Sequence, residues 1–291
     1  MTHLGTRLMG GAAALLACAA AVCAGGTTTV TFDGGAAGWS GPSGIGGATT
    51  IPATGGNPGA NMRTVFNDFG ITFRNDTNAA FIQDLSQYNE VTISIDTRVE
   101  FMNFFGQDVS RPWLVELRDY DNVSTGYPWV SVWFKFADIS QSSTGTWTTF
   151  SVTIDDPQAT ALPAGWGGYG DEDPMTFEPI LPADRTFADV LAGVDEIVFT
   201  TLEPGFFFGF TDHTVRIDNI SITTVTPPSC PGDVTGPGSV PDGVVDVDDL
   251  NAILSAWGTT VGGGSPLDLA NGDGFIDVDD LNVVLSNWGC N

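Results

Sequence analysis

The stretch DGVVDVDDLNAILSAWG, residues 242–258, returns thirty-one residues later as DGFIDVDDLNVVLSNWG, residues 273–289, with twelve of seventeen positions identical. No other obvious repeat exists in the 291-residue chain, and this one restricts the fold of everything after residue 232. Leu250, Ile253, Leu254 and Trp257 recur at i, i+3, i+4 and i+7, as do Leu281, Val284, Leu285 and Trp288, which predicts one amphipathic helix per copy. Asp248 and Asp249 suit the positive N-terminal end of the first helix, and Gly258 falls just past its C-terminus. A helix this short is not stable alone, so each unit needs its twin to bury an apolar stripe.

The residues ahead of each helix have the chemistry of a hard-cation loop. An EF-hand-type loop supplies side-chain oxygens at its first, third, fifth, ninth and twelfth positions, a carbonyl at the seventh, and Gly at the sixth for the turn. In the first copy this register makes Asp242 the fifth ligand, Val244 the carbonyl, and Asp246 and Asp249 the ninth and twelfth. Asp273, Phe275, Asp277 and Asp280 are the equivalents in the second copy. The front halves depart from that spacing. Asp233 and Thr235 open the first loop, but GPGSVP intervenes before Asp242; in the second, one extra residue lets Asp268 or Asn271 fit, but not both without a bulge. A plainer reading is a helical hairpin with solvated capping acids, but it does not explain why Asp recurs at the liganding positions.

The duplicated loop and helix resemble a type I dockerin, the calcium-dependent module that docks onto cohesin domains. The Cys-Pro-Gly-Asp start at residue 230, the DVDDLN…LS.WG repeats and the terminal Gly-Cys resemble, more narrowly, the Gly-Cys-ended dockerins of planctomycete secreted proteins. The resemblance covers residues 230–291. It implies two Ca2+ ions, a two-fold antiparallel helix pair that brings Cys230 and Cys290 close, and a cohesin-like partner. In this family the residues after the ninth loop position help select the cohesin. Here they are Val247-Asp248 and Val278-Asp279, the same pair twice, which implies that either face docks.

The other end of the chain points to export. Residues 1–24 carry one Arg, an Ala/Leu run and small residues before Ala24, the layout of a cleaved secretory signal; a lipoprotein signal ending at Cys18 is the minor alternative, and the run is short for a membrane span. Cleavage leaves Cys230 and Cys290, an even pair flanking the repeat and expected to form a disulfide. It also leaves 8 Lys and Arg against 35 Asp and Glu. So acidic a chain disfavours nucleic acid and anionic membranes, and suits divalent cations and salty surroundings.

Residues 25–225 read as β structure. Segments such as TTTVTF, EVTISIDTRVEF, WLVELRDY, WVSVWFKF and VRIDNISITTV are β-branched and aromatic, several alternate, and turn residues punctuate them. The expected class is mainly β: an antiparallel jelly-roll sandwich, with one short helix near residues 184–194, followed by linker 226–232 and the small helical calcium-loop domain 233–291. GFFFGF reads as a buried or edge strand. FIQDLSQYNEVTISIDTRV, FADVLAGVDEIVF and RIDNISI weakly resemble laminin-IV-type and galactose-binding-like jelly rolls. That resemblance implies a structural Ca2+ shared by Asp33 and Asp218, with turn amides as the equal alternative, and affinity for a polysaccharide.

Sugar stacking needs exposed aromatic faces, and Trp113, Trp129, Trp133, Trp147 and Trp166 are available. Trp133 reads as core. Trp166, in the Gly-rich stretch PAGWGGYGDEDP with Tyr169 beside it, is the expected exposed pair. Catalysis has thin support: His213 is the one histidine beyond the leader, expected in a turn, no paired-Glu strand is present, and no catalytic residue is assigned. The reading is an exported, non-catalytic protein attached by its C-terminal module. The competing reading is a polysaccharide-active hydrolase or lyase delivered by the same module.

Overall fold

The structure is a computed structural model that describes residues 26–121, 123–226, 230–236, 241–261, 265–270 and 272–291. The leader with Cys18, and Asn271, lie outside the described residues. The chain divides into two compact units, the larger ending at Pro227 and the smaller running from Pro228 to Asn291.

In the larger unit the alternating segments become strands. In chain order they are β1 (Gly26–Val30), β2 (Trp39–Ser40), β3 (Gly47–Thr50), β4 (Met62–Asp68) and β5 (Thr72–Asn75). Next come β6 (Glu90–Phe104), β7 (Gln107–Asp108), β8 (Arg111–Asp119), β9 (Val130–Ile139) and β10 (Thr148–Ile154). The last are β11 (Trp166–Tyr169), β12 (Asp171–Glu172), β13 (Pro179–Ile180), β14 (Glu196–Thr200) and β15 (Thr211–Val225). One sheet runs β10-β6-β15-β4-β3, the other β11-β9-β8-β14-β5-β2, and the pairing within both is antiparallel. The eight main strands, taken in chain order, are β4, β5, β6, β8, β9, β10, β14 and β15. Their arrangement is therefore sixth-third-eighth-first in one sheet and fifth-fourth-seventh-second in the other, the double Greek key of a jelly roll.

The two inner faces share one core. Ile93, Ile95 and Ile217 of the first sheet and Val115, Leu117 and Phe199 of the second are fully buried in it. The expected short helix is α2 (Phe187–Ala192), after a single turn α1 (Gln141–Thr144). Thr186 and Asp189 cap α2 reciprocally, and Phe187, Val190 and Leu191 are buried with the core. β15 serves two neighbours on one side, and its register against β6, on the other, shifts between Asp218 and Ser221, where Asn219 has φ 46°. Its first half pairs with β4 and its second half with β1.

The smaller unit holds α3 (Val247–Ser255) and α4 (Val278–Ser286). Its core is Val245, Ile253, Ile276 and Val284, one loop residue and one helix residue from each copy. The copies are tied reciprocally by backbone bonds. Gly258 N–H donates to Ile276 C=O and Gly289 N–H to Val245 C=O; Ile276 N–H donates to Thr259 C=O and Val245 N–H to Cys290 C=O. Each helix thus ends by bonding the other copy's loop. Gly258 and Gly289 make this turn with φ of 72° and 77°, which favours glycine. The Cys230–Cys290 disulfide joins the ends of the unit, with Cα atoms 5.6 Å apart.

Three expectations change. GFFFGF is not a strand: Phe206, Phe207 and Phe210 lie in the turn between β14 and β15 with their side chains exposed. His213 lies within β15, not a turn, and is buried. The helical stripe is only half used, since Leu254, Trp257, Leu285 and Trp288 remain half-exposed. The loop residues Val245 and Ile276 are buried in the core beside Ile253 and Val284.

Candidate functional site

The C-terminal loops share most of their hydrogen bonds. Asp249 is fully buried; its Oδ1 accepts from the N–H groups of Val234 (2.7 Å) and Thr235 (2.9 Å), and its Oδ2 from Asp246 N–H (2.9 Å). Asp280 Oδ1 accepts from Leu269 (2.7 Å) and Ala270 (2.9 Å), and its Oδ2 from Asp277 N–H (2.9 Å). These amides hold the Asp280 carboxyl below its ordinary value although burial acts to raise it. Asp233 accepts from Gly243 N–H (2.7 Å) and Asp268 from Gly274 N–H (2.8 Å). Asp242 accepts from Val244 N–H (3.0 Å) and Asp273 from Phe275 N–H (2.8 Å).

Asp246 and Asp277 are the helix N-caps, each accepting from the N–H two residues on at 2.8 Å. Asp268 therefore takes the role that Asp233 has in the first loop, despite the insertions. Its Oδ1 is buried and, among the described residues, has no hydrogen-bond partner. A carboxylate oxygen removed from water and left unpaired is unfavourable, and a hard cation satisfies it. By that test the residues present suit calcium. Val247, Asp248, Val278 and Asp279 lie exposed on the first turns of the two helices.

In the sandwich, the outward face of the second sheet gathers a polar network. Glu116, Arg118 and Tyr120 alternate outward along β8 and just past its end, and Arg118 lies opposite Glu196 of β14 and Ser131 of β9. Arg118 donates to Glu116 Oε2 at 2.7 Å and to Glu196 Oε2 at 2.8 Å. Glu116 Oε1 accepts from Trp129 Nε1 (2.9 Å) and the Ser131 hydroxyl (2.6 Å), and Tyr120 donates to Glu196 (2.8 Å). Burial acts to lower the Arg118 pKa, but the two carboxylates raise it overall. Burial and the Glu196 bond push the Tyr120 phenol up to about 12, so it stays a donor at neutral pH.

An aromatic surface is built around this network. The Arg118 guanidinium lies 3.9 Å from the ring centroid of Trp129. Tyr120 and Tyr169 sit beside Trp129 at 6.1 and 5.9 Å, and Tyr127 meets Tyr169 edge-on at 5.4 Å. Three of the chain's four tyrosines are therefore in one place. A cavity of about 620 Å³ opens there, bordered by Arg74, Arg118, Tyr120 and Trp129. Both carboxylates are occupied by cationic and neutral donors.

Of the expected sugar contacts, Tyr169 belongs to this surface and Trp166 does not. Trp166 is 9% exposed, because it begins β11 and turns inward onto Phe187 (5.1 Å, edge-on) and Phe134 (5.6 Å). Its glycine-rich flank looks like a loop, but Trp166, Gly167, Gly168 and Tyr169 pair in register with β9. Trp133, expected in the core, faces outward instead and is half-buried. Alternation along β9 carried the signal for that: Val130 and Val132 are buried, and positions 129, 131 and 133 share the other face.

Asp33 and Asp218 end on the loop before β4, with Asp96 as a third carboxylate. Asp218 accepts from Asn57 N–H (2.5 Å) and Asn219 N–H (2.8 Å), and Asp33 from Ala60 N–H (2.9 Å). Asp96 accepts from the side chains of Asn57 (2.9 Å), Asn219 (2.8 Å) and Thr149 (2.5 Å). Burial raises the Asp218 carboxyl, and the neighbouring Asp96 and Asp33 add to the rise. Backbone amides thus reach Asp33 and Asp218, and side-chain donors reach Asp96. Asp119, Asp121 and Asp195 also converge, within 4.8 Å of one another, and Arg185 pairs with Asp119 there.

No family model and no curated protein matches the chain. Solved structures give distant likenesses. The CBM22-1 and GH10 modules of Clostridium thermocellum endo-1,4-β-D-xylanase 10B, complexed with xylohexaose, are 12% identical over 68% of this chain (TM-score 0.38). The chain spans only 28% of that protein. The C-terminal family 22 carbohydrate-binding module of the same xylanase is 12% identical over 69% of this chain and 94% of its own (TM-score 0.37). A family 30 carbohydrate-binding module is 15% identical over 74% and 93% (TM-score 0.36). With TM-scores below 0.5, none of these carries a conclusion; the jelly-roll assignment rests on strand order. Among the described residues no helix is long and apolar enough to cross a membrane.

Proposed function

We propose that this is an exported, non-catalytic protein whose sandwich binds a polysaccharide and whose C-terminal unit is a calcium-dependent, dockerin-like attachment module. The observation that carries the attachment reading is the shared amide bonding of the two acidic loops, together with the buried oxygen of Asp268 that has no partner among the described residues. Asp233, Thr235, Asp242, Asp246 and the Val244 carbonyl would hold one ion; Asp268, Asp273, Asp277 and the Phe275 carbonyl would hold the other, with Asp249 and Asp280 closing each loop. Calcium supplies the charge that lets these carboxylates lie close together. The chain's own bonds set the loop shape and present Val247-Asp248 and Val278-Asp279 to a cohesin-like partner.

The glycan reading is supported by the aromatic surface around Trp129. A sugar ring offers a C–H-rich face to stack and hydroxyls to bond, and Trp129, Tyr120 and Tyr169 lie beside a fixed set of polar groups.

The two halves are tested separately. Calorimetric titration of the full chain with CaCl2 is expected to show two sites, lost in Asp242→Ala plus Asp273→Ala. Capture of a cohesin-like protein from the secreting organism is expected to disappear with chelator. Absence of any calcium heat would sink the module reading. For the sandwich, electrophoretic retardation in gels containing neutral polysaccharides is expected for the wild type and reduced in Trp129→Ala.

A further inference from the structure

Trp133 stands on the same outward face as Trp129, four residues along the chain, and its setting differs from that of a core tryptophan. It lies opposite Glu116 on one side and Gly167 on the other. A Cβ at Gly167 would collide with the five- and six-membered parts of the Trp133 indole, so the ring lies across the β11 backbone where that glycine leaves room. The missing side chain permits a flat ring. Trp133 also borders a cavity of about 410 Å³.

Two segments wall this cavity. Phe177 and Pro179 come from the β12–β13 hairpin, and Phe206 from the turn after β14. The hairpin and turn approach each other at Gly205, where a Cβ would meet Pro179 at 2.8 Å and where φ is 81°. Phe177 and Phe206 are 74% and 66% exposed, so these walls are apolar surfaces left open to a ligand. The polar lining is acidic: Glu178, and Glu203, which takes the chain's single lysine, Lys135, at 3.2 Å.

We infer that Trp133 is the platform of a second glycan subsite, taking a pyranose ring of the same neutral, linear polysaccharide that lies on Trp129. This rests on the glycan-binding reading above. An indole laid over backbone at the border of a cavity can stack against the C–H face of a sugar. Carboxylates accept from hydroxyls, and their charge repels uronate or sulfate groups. With about 3.3 Å per residue along a strand, Trp129 and Trp133 stand about 13 Å apart, so one chain of several sugars spans both.

The test uses the full chain in affinity gels containing hydroxyethylcellulose, xylan or galactomannan, with pectate as the anionic polymer. Trp133→Ala is expected to weaken retardation in the polymer that holds the wild type at least tenfold. Phe177→Ala, at an exposed wall with little to lose in folding, is expected to weaken it severalfold with an unchanged melting temperature. Quenching of tryptophan fluorescence by the same polymer is expected to fall in Trp133→Ala. If Trp129→Ala abolishes retardation while Trp133→Ala and Phe177→Ala match the wild type, the second subsite is wrong and glycan binding stands. Retention by pectate alone overturns the neutral class. Retention by no polymer overturns both readings.

Discussion

Glu116 accepts from Arg118, Trp129 and Ser131 at once while itself 2% exposed, so its removal strands three donors in a dry place. Glu116→Ala is expected to cost about 1–3 kcal/mol in urea unfolding, because Trp129 and Ser131 lose their buried acceptor while Arg118 keeps Glu196. Glu116→Gln, which keeps an acceptor, is expected to lose less; equal losses would show that charge, not acceptor number, holds the network. His213 gives a second residue-scale expectation. Burial lowers its pKa from 6.5 to about 4. As pH falls below 6.5 the unfolded chain takes the proton first, so stability is full above that value and declines through the window down to about 4. The loss amounts to about 3 kcal/mol. The difference between wild type and His213→Phe, measured by denaturant unfolding across that window, isolates it; parallel pH profiles would refute it. At this scale the chain is only partly legible. Aromatic residues advertise burial or binding equally, and only pairing register tells Trp166, turned onto Phe187, from Trp133, laid over Gly167.

The elements are more legible than the side chains on them, because periodicity reports an element directly. Helices α3 and α4 follow from their spacing, α2 from its place before β14, and the β segments from alternation. Two features are not visible along the chain. The reciprocal bonds that end each helix on the other copy's loop depend on three-dimensional pairing. Short strands such as β11 hide in Gly-rich text because edge pairing, not propensity, creates them. The disulfide belongs to this scale, since it closes a segment with a sequence separation of 60 around a core with, among the described residues, only four fully buried apolar side chains. Chain-entropy reasoning puts its contribution at about 4 kcal/mol for a loop of that length. Cys290→Ser is therefore expected to unfold the C-terminal unit at much lower denaturant while the sandwich transition stays in place. Near-UV circular dichroism, to which Trp257 and Trp288 contribute, would show it as a separate early transition, and its absence would contradict it.

For the whole molecule, the decisive quantity is a net charge of −26, with 9 Lys and Arg against 35 Asp and Glu. The few cations are mostly consumed internally: Arg63 and Arg216 on Glu100, Arg118 between Glu116 and Glu196, Arg185 on Asp119, and Lys135 between Asp138 and Glu203. Burial acts to raise the Glu100 carboxyl, but its two guanidiniums hold it lowered, so that centre stays ionised at neutral pH. The remaining surface is close to single-signed, and a compact state of one sign repels itself. Salt shortens that repulsion, with a Debye length of about 30 Å at 0.01 M and about 3 Å at 1 M. Thermal stability is thus expected to rise with NaCl between these limits, even though the same salt weakens the internal pairs. The pairs are largely buried and screened less, so the repulsive term dominates the change. A relief of only 1 kcal/mol raises Tm by about 2–4 °C for a chain of this size. Scanning calorimetry at constant pH, in chelator to remove any calcium contribution, measures it; a Tm that falls with salt would place the internal pairs ahead of the surface charge.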